Sequence, residues 1–303
     1  MSVFLFIILL ALTGFNLITQ GRNNQSKLSS SPYFTSAALS LPKEPQLIDQ
    51  LPLLNHFEPL DLDVYAAQVF NLKHSYPVFE INAGQRWPLA SLTKLMTAVI
   101  ALEHLSPDQI VLISETAAAS PGRTNDLSSG GEFTVDDLIK AMMVVSSNSA
   151  ATALSETLPK GEFVRLMNKK ATELGMQNTY FFDSSGLSFL NQSTPTDLIR
   201  LVKHIYYQHP SIWEASARRR VRIIEKQSGR RQTLLNINQF AGRTDFLGGK
   251  TGFIDKAQGN LVSIFRINRQ PVSLIVFGAL GFESRFVETE KLLDFIYDSR
   301  RNY

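Results

Sequence analysis

The sequence predicts an α/β protein of the α+β kind: an antiparallel sheet flanked by helices, plus a mainly helical lobe, with a cleft between the two. Three observations predict it. Alternating apolar runs at 64–71 and 78–82 read as an opening strand pair. Helix-period patterns then fill the middle of the chain. Strand patterns return at 221–226, 232–236, 258–267 and 272–279, before a closing helix at 283–297. Strands at both ends of the chain can share one sheet only if the helical middle stands to one side.

Composition bounds the reading. With 303 residues, 44% of them hydrophobic and 19% charged, the chain can bury a sizeable core in one or two domains. A formal net charge of +3 gives no reason to expect a nucleic-acid partner. The local run Arg218-Arg219-Arg220, with Arg222, Arg230 and Arg231, reads as a solvated face. There is no cysteine, which excludes disulfides, thiolate metal sites and cysteine nucleophiles, and is compatible with export. The five histidines show no H-E-x-x-H-type spacing, so no metal or other cofactor is expected.

Taken in order, residues 1–21 carry no charge and residues 3–12 form an unbroken apolar run, so this segment reads as an export signal or a membrane anchor. Residues 22–60 mix Ser, Asn, Gln and Pro and read as a linker. The folded domain is expected over 61–303, outside the cytoplasm, with the membrane touched only through the N-terminal segment. A turn at 73–77 joins the first two strands, and a helix starts within a residue or two of Ser91. A short strand is expected at 110–114 and a Gly-, Ser- and Asn-rich loop at 121–132. Thr134 with Asp137 marks a capped helix start, running to about 145. Further helices are expected at 149–158, 161–174 and 196–207, the last capped by Thr194 or Thr196.

The chemistry centres on Ser91 and Lys94, three residues apart and therefore on one face of the helix. A serine that can pass its proton to a neighbouring lysine is a nucleophile, and burial favours the neutral, basic form of that lysine. S-x-x-K is a weak motif alone. A second copy, Ser40 to Lys43, lies in a polar stretch with Pro42 inside it and has no partners. The Ser91 pair has two downstream candidates: Ser146-Ser147-Asn148 at a junction between helices, and Lys250-Thr251-Gly252 at the start of a strand. Ser146 and Asn148 could instead cap the following helix. Gly249-Lys250-Thr251 resembles the end of a phosphate loop, but Thr244 stands where that loop needs glycine, and Gly252 and Asp255 oppose a following helix.

S-x-x-K, S-x-N and K-T-G in that order resemble the penicillin-binding serine acyltransferases. The segments WPLASLTKLMTA (87–98), MVVSSNSAA (143–151), MNKKATELGMQNT (167–179) and GKTGFIDKA (249–257) extend the resemblance to the low-molecular-weight D-alanyl-D-alanine carboxypeptidases, over roughly 61–297. The resemblance implies a β-lactamase/transpeptidase-like fold and a serine acyl-enzyme mechanism. It implies peptidoglycan stem peptides as substrate and β-lactam antibiotics as covalent inhibitors. By the same resemblance, Ser91 is the nucleophile and Lys94 the base. Ser146 relays a proton to the leaving amine, and Asn148 holds the peptide amide and orients Lys94. Lys250 and Thr251 bind the terminal carboxylate. Gly252 lets the substrate backbone lie against the strand, and the N–H groups of Ser91 and Phe253 receive the oxyanion. Two positions depart from the family pattern, Ser147 for glycine and Phe253 for histidine, and both bear on substrate fit.

The leading expectation is a carboxypeptidase that removes the terminal D-alanine. A D,D-endopeptidase cutting cross-links is the alternative, since the chain stops soon after its closing helix. A β-lactamase ranks below, for want of an E-x-x-L-N segment. A non-catalytic wall-binding module also ranks below, because Ser91, Lys94 and Lys250 are all present.

Overall fold

A computed structural model describes residues 60–122 and 127–298. The signal or anchor at 1–21 and all but the last residue of the linker at 22–60 lie outside the described residues. Among the described residues, no helix is long and apolar enough to cross a membrane.

The chain opens with β1 (Ala66–Asn71) and β2 (Tyr76–Ile81), then a two-residue strand β3 (Trp87–Pro88). A single 3-10 turn over Ala90–Thr93 leads into α1 (Lys94–His104). The helical lobe follows: β4 (Ile110–Leu112), α2 (Glu115–Ala118), β5 (Glu132–Thr134), α3 (Val135–Val144), α4 (Asn148–Ser155), α5 (Glu162–Glu173), β6 (Gln192–Ser193), α6 (Pro195–Gln208) and α7 (Pro210–Ala217). A hairpin, β7 (Arg220–Ile224) and β8 (Arg231–Leu235), precedes the long strands β9 (Phe246–Ile254), β10 (Gln258–Ile267) and β11 (Gln270–Ala279). The chain returns across the sheet as α8 (Ser284–Asp298).

Local chemistry explains the starts and turns. Thr134 caps α3 by accepting from the Asp137 N–H at 3.1 Å, and Thr194 caps α6 by accepting from the Asp197 N–H at 3.0 Å. Pro195 sits in the first turn of α6, where its missing N–H costs nothing. β10 and β11 are joined by Asn268-Arg269, both in the left-handed region (φ 50° and 63°), the primed turn that matches strand twist.

The main sheet is antiparallel throughout, in the order β2-β1-β11-β10-β9, so strands from both ends of the chain do share it. It is buried on both faces. Ala66, Val262, Ile264, Ile275 and Phe277 face the helical lobe. Ala67, Val69, Leu261, Phe265, Leu274 and Val276 face α8, through Phe286, Leu292, Leu293 and Ile296. Each such large side chain contributes about 1.5–3 kcal/mol on burial. β7 and β8 stay outside this sheet and pair with each other. Their inward residues Val221, Ile223 and Leu234 join the helical-lobe core, and the arginines of the hairpin, with Arg218 and Arg219, are exposed.

Three sequence expectations need correction. The pattern at 196–207 gave no sign of α7, which starts at Pro210 immediately after α6 ends. Lys250-Thr251-Gly252 lies in the second half of β9, not at its start. The Ser91 helix is two elements: the serine stands on the 3-10 turn, and the α-helix begins at Lys94.

Candidate active site

The 3-10 turn carries Ser91 at the mouth of a cavity of about 510 Å³ between the helical lobe and the edge strand β9. Ala90, immediately before it, holds a left-handed backbone (φ 49°), a sparsely populated conformation for a residue with a Cβ. Tertiary contacts hold this turn in place. Asn260, buried on β10, donates through Nδ2 to the carbonyls of Pro88 (2.8 Å) and Leu89 (3.2 Å), and its Oδ1 accepts from the Gly278 N–H at 2.9 Å. The Leu89 N–H donates to the Asn191 carbonyl at 2.8 Å.

Lys94 opens α1 and is fully buried. Its Nζ donates to Ser91 Oγ at 3.0 Å, to Asn148 Oδ1 at 2.6 Å, and to the Ser185 carbonyl. These three partners are all neutral acceptors. Asn148 is the first residue of α4, and its Nδ2 donates to the Pro121 carbonyl. Both ends of that amide are therefore held inside the protein, and the Pro121 bond uses one of its two N–H donors.

The second lysine mirrors the first. Lys250, on β9 and 1% exposed, donates to Ser146 Oγ at 2.8 Å and to the Thr251 carbonyl at 2.7 Å. Ser146 also holds a left-handed backbone (φ 61°) at the α3–α4 junction. Burial pushes the Lys250 ammonium well below the ordinary lysine range, and the positive charges of Lys94 and Arg285 push it further. No aspartate or glutamate lines the cavity among the described residues, so the site lacks a resident anion and suits an incoming one.

Two sequence expectations change on inspection. Ser147 is fully buried and caps α4 by accepting from the Ala150 N–H at 3.0 Å. The middle residue of S-x-N is therefore a helix cap turned away from the cavity, not a determinant of substrate fit. Gly252, which lines the cavity, is needed for a second reason as well: a Cβ there would come within 2.9 Å of the Leu89 carbonyl oxygen and 3.3 Å of Ser91 N. The strand lies directly against the Ser91 turn, which leaves no room for a side chain. Phe253 stacks edge-on against Phe282 (5.6 Å between ring centroids), which in turn lies under the Arg285 guanidinium at 3.9 Å.

Four contributors escaped sequence reasoning. Asp183 organises the loop after α5, with Oδ1 accepting from the N–H groups of Ser185 (2.8 Å) and Gly186 (2.6 Å), and Oδ2 from the N–H of Ser188 (2.8 Å). This aims the Ser185 carbonyl at Lys94. Gly186 (φ 83°) presses so close to the Ser91 turn that a Cβ would sit 1.9 Å from the Ala90 carbonyl oxygen. Asn260 fixes the same turn from the sheet. Arg285, on α8 and 1% exposed, donates to the Gly252 carbonyl at 3.2 Å and lines the cavity. The DSSG run at 183–186 was the one local signal, since an Asx turn followed by glycine marks a structured loop.

The geometry thus brings Ser91, Lys94, Ser146, Asn148, Lys250, Thr251, Gly252 and Phe253 around one cleft. Comparison with known proteins agrees with it. The model of the D-alanyl-D-alanine carboxypeptidase family, Peptidase_S11, matches residues 67–281. The chain is 36% identical over 213 residues to the D-alanyl-D-alanine endopeptidase of Pseudomonas aeruginosa, covering 68% of each chain. It is 29% identical over 229 residues to a D-alanyl-D-alanine carboxypeptidase of Bacillus subtilis, covering 73% of this chain and 58% of that one. Its structure resembles penicillin-binding protein D2 of Listeria monocytogenes in the ampicillin-bound form, with a TM-score of 0.68 at 30% identity, over 79% of this chain and 100% of that one. A match to the family model across most of the folded chain, on the matching fold, makes this protein a serine hydrolase that belongs to the D-alanyl-D-alanine carboxypeptidase family.

Proposed function

We propose that the chain removes the terminal D-alanine from peptidoglycan stem peptides through an acyl-enzyme at Ser91. The observation that carries the reading is the pair of buried lysines, each within 3.0 Å of a serine hydroxyl in one cleft. A lysine held among neutral acceptors, facing a second lysine, is poised to take a proton rather than keep one.

In this reading Ser91 Oγ attacks the carbonyl carbon of the penultimate D-alanine and its proton passes to Lys94 Nζ. The oxyanion forms at the backbone N–H groups of Ser91 and Phe253. The C–N bond then breaks, and the leaving amine takes a proton delivered through Ser146, which the Lys250 hydrogen bond holds toward the cleft. Water attacks the ester, passing its proton to Lys94 and returning Ser91 to the hydroxyl form. The substrate carboxylate docks at Lys250, Thr251 and the neighbouring Arg285, where it favours the charged form of Lys250. Asn148 positions Lys94 through Oδ1, and its amide N–H donors meet the substrate amide. Hydrolysis of the ester needs no carboxylate in this scheme, whereas fast turnover of β-lactams does in class A enzymes. A long-lived penicilloyl adduct on Ser91 follows, as the ampicillin-bound form of the Listeria relative supports. The uncharged segment 1–21 supports a location outside the cytoplasm, reached by export or anchoring, where such substrates lie.

A second reading, cleavage of the D-alanyl cross-link between two stem peptides, is favoured by the endopeptidase name of the Pseudomonas relative. Both use the same acylation chemistry and differ in what lies beyond the leaving amine. Mass spectrometry of products from a pentapeptide and from a cross-linked dimer separates them. Release of free D-alanine from the pentapeptide is expected. Cleavage of the dimer alone would replace the first reading with the second.

A further inference from the structure

At the opposite end of α1 from the nucleophile, three side chains from distant parts of the sequence converge on one point. Glu103 is the penultimate residue of α1, His204 lies on α6, and His209 sits between α6 and α7. The same carboxylate oxygen, Glu103 Oε1, lies 3.2 Å from His204 Nε2 and 3.4 Å from His209 Nε2. Both are hydrogen bonds, at or just beyond the long end of the ordinary N–H···O range of about 2.7–3.2 Å. They also lie close to the edge of a tetrahedron of ligands around zinc, which for bonds of about 2.0–2.2 Å is roughly 3.3–3.6 Å. All three ligand atoms lie within 4.8 Å of one another.

The surroundings are also those of a metal site. Lys170 Nζ binds the other carboxylate oxygen, Glu103 Oε2, at 2.7 Å. It therefore fixes the carboxylate while leaving Oε1 for a third party, as outer partners of ligating carboxylates do. All three side chains are about one-fifth exposed, enough for solvent to supply a fourth ligand. Two imidazoles and one carboxylate select a borderline transition ion over calcium or magnesium, which prefer all-oxygen shells.

We propose that Glu103, His204 and His209 bind a divalent transition ion, zinc being the best fit, as a structural site separate from the catalytic cleft. The ion would join the end of the nucleophile-bearing helix to the α6–α7 corner. α7 in turn supports the K-T-G strand, where Ser216 Oγ accepts from the Gly249 N–H at 3.0 Å. The site thereby braces both walls of the cleft from behind.

The test uses the full chain, stripped with a chelator and titrated with zinc by calorimetry, then with cobalt(II) by absorption. One zinc per chain, saturating in the micromolar range or tighter, is expected, with a cobalt spectrum of mixed nitrogen and oxygen ligation at low coordination number. His204→Gln and His209→Gln should each weaken binding at least tenfold, with circular dichroism confirming that the variants fold. Absence of stoichiometric zinc binding, or a binding curve unchanged in the two variants, would overturn the proposal and leave the cluster as a hydrogen-bonded ion group. Should a variant fail to fold, the cobalt spectrum of the unaltered chain decides alone: six-coordinate, aquo-like cobalt counts against the site.

Discussion

The two ends of α1 face opposite electrostatic problems. At its first residue, Lys94 is fully buried among hydroxyl, amide and carbonyl oxygens, with a second buried lysine across the cleft and no carboxylate lining the cavity among the described residues. At its penultimate residue, Glu103 is partly exposed and ringed by Lys170, His204 and His209. Burial alone would raise the Glu103 carboxyl, but its hydrogen bonds to Lys170 and to the histidines outweigh burial and hold it below the usual glutamate range. One end surrounds its carboxylate with a lysine and two imidazoles. The other sets Lys250 beside the positive charges of Lys94 and Arg285, which disfavours its charged form and is intelligible as a site waiting for a substrate carboxylate.

The largest expected effect tests the strained end. Lys94→Ala should slow acylation by a penicillin about 10²- to 10⁴-fold while the fold survives, read by stopped-time labelling and circular dichroism. Near-normal labelling would remove Lys94 from the role of base.

Next comes the fit between the loop and the nucleophile turn. Gly186→Ala places a methyl where the Ala90 carbonyl already is, on a backbone with φ 83°. It should destabilise the protein by about 2–4 kcal/mol and depress acylation by displacing Ser91, both measurable by denaturant melts and labelling. A variant with unchanged melting and acylation would show that this contact has no mechanical role.

Lys250 gives a pH signature. Its ammonium is held well below the ordinary value of 10.5 in the folded protein, so the unfolded chain binds more protons through that interval. Stability attributable to Lys250 should therefore rise with pH from the depressed folded value up to about 10.5. Lys250→Met should flatten that rise and stabilise the protein at neutral pH by ~1 kcal/mol, while abolishing turnover. Loss of stability in this variant would contradict the reading of a destabilising charge.

The smallest effect belongs to the balanced end. Glu103→Gln should cost about 1 kcal/mol or less, since the group is partly exposed and screened. Because its carboxyl is lowered from 4.5, its contribution is fully present above that pH and is lost as pH falls through the folded value. Melts at pH 3 and pH 7 check the sign: wild type and variant should converge in acid.

Much of the site was legible because its chemistry is written in short contiguous motifs. Ser91 and Lys94 are separated by two residues, Ser146 and Asn148 by one, and Lys250 to Gly252 by none beyond themselves. Helix starts were legible for the same reason: Thr134 and Thr194 each bond three residues ahead. What escaped works across long separations. Asn260 grips carbonyls 171 and 172 residues away, Arg285 reaches Gly252 across 33, and Ser185 meets Lys94 across 91. The histidines at 204 and 209 read as unrelated to each other and to Glu103 because a helix end, not a helix face, brings them together. α7 escaped because the expected helix ended at 207, and Pro210, which sits in the first turn of α7, is a proline that a helix start accommodates.

The central claim is that the Lys94 end of α1 activates Ser91 for covalent acyl transfer, and it can be tested in one measurement. Intact-mass and peptide-mapping spectrometry after exposure to a penicillin should show one adduct per chain, on the peptide containing Ser91, and none in Ser91→Ala. An adduct on any other residue, or one that persists in Ser91→Ala, would contradict the account.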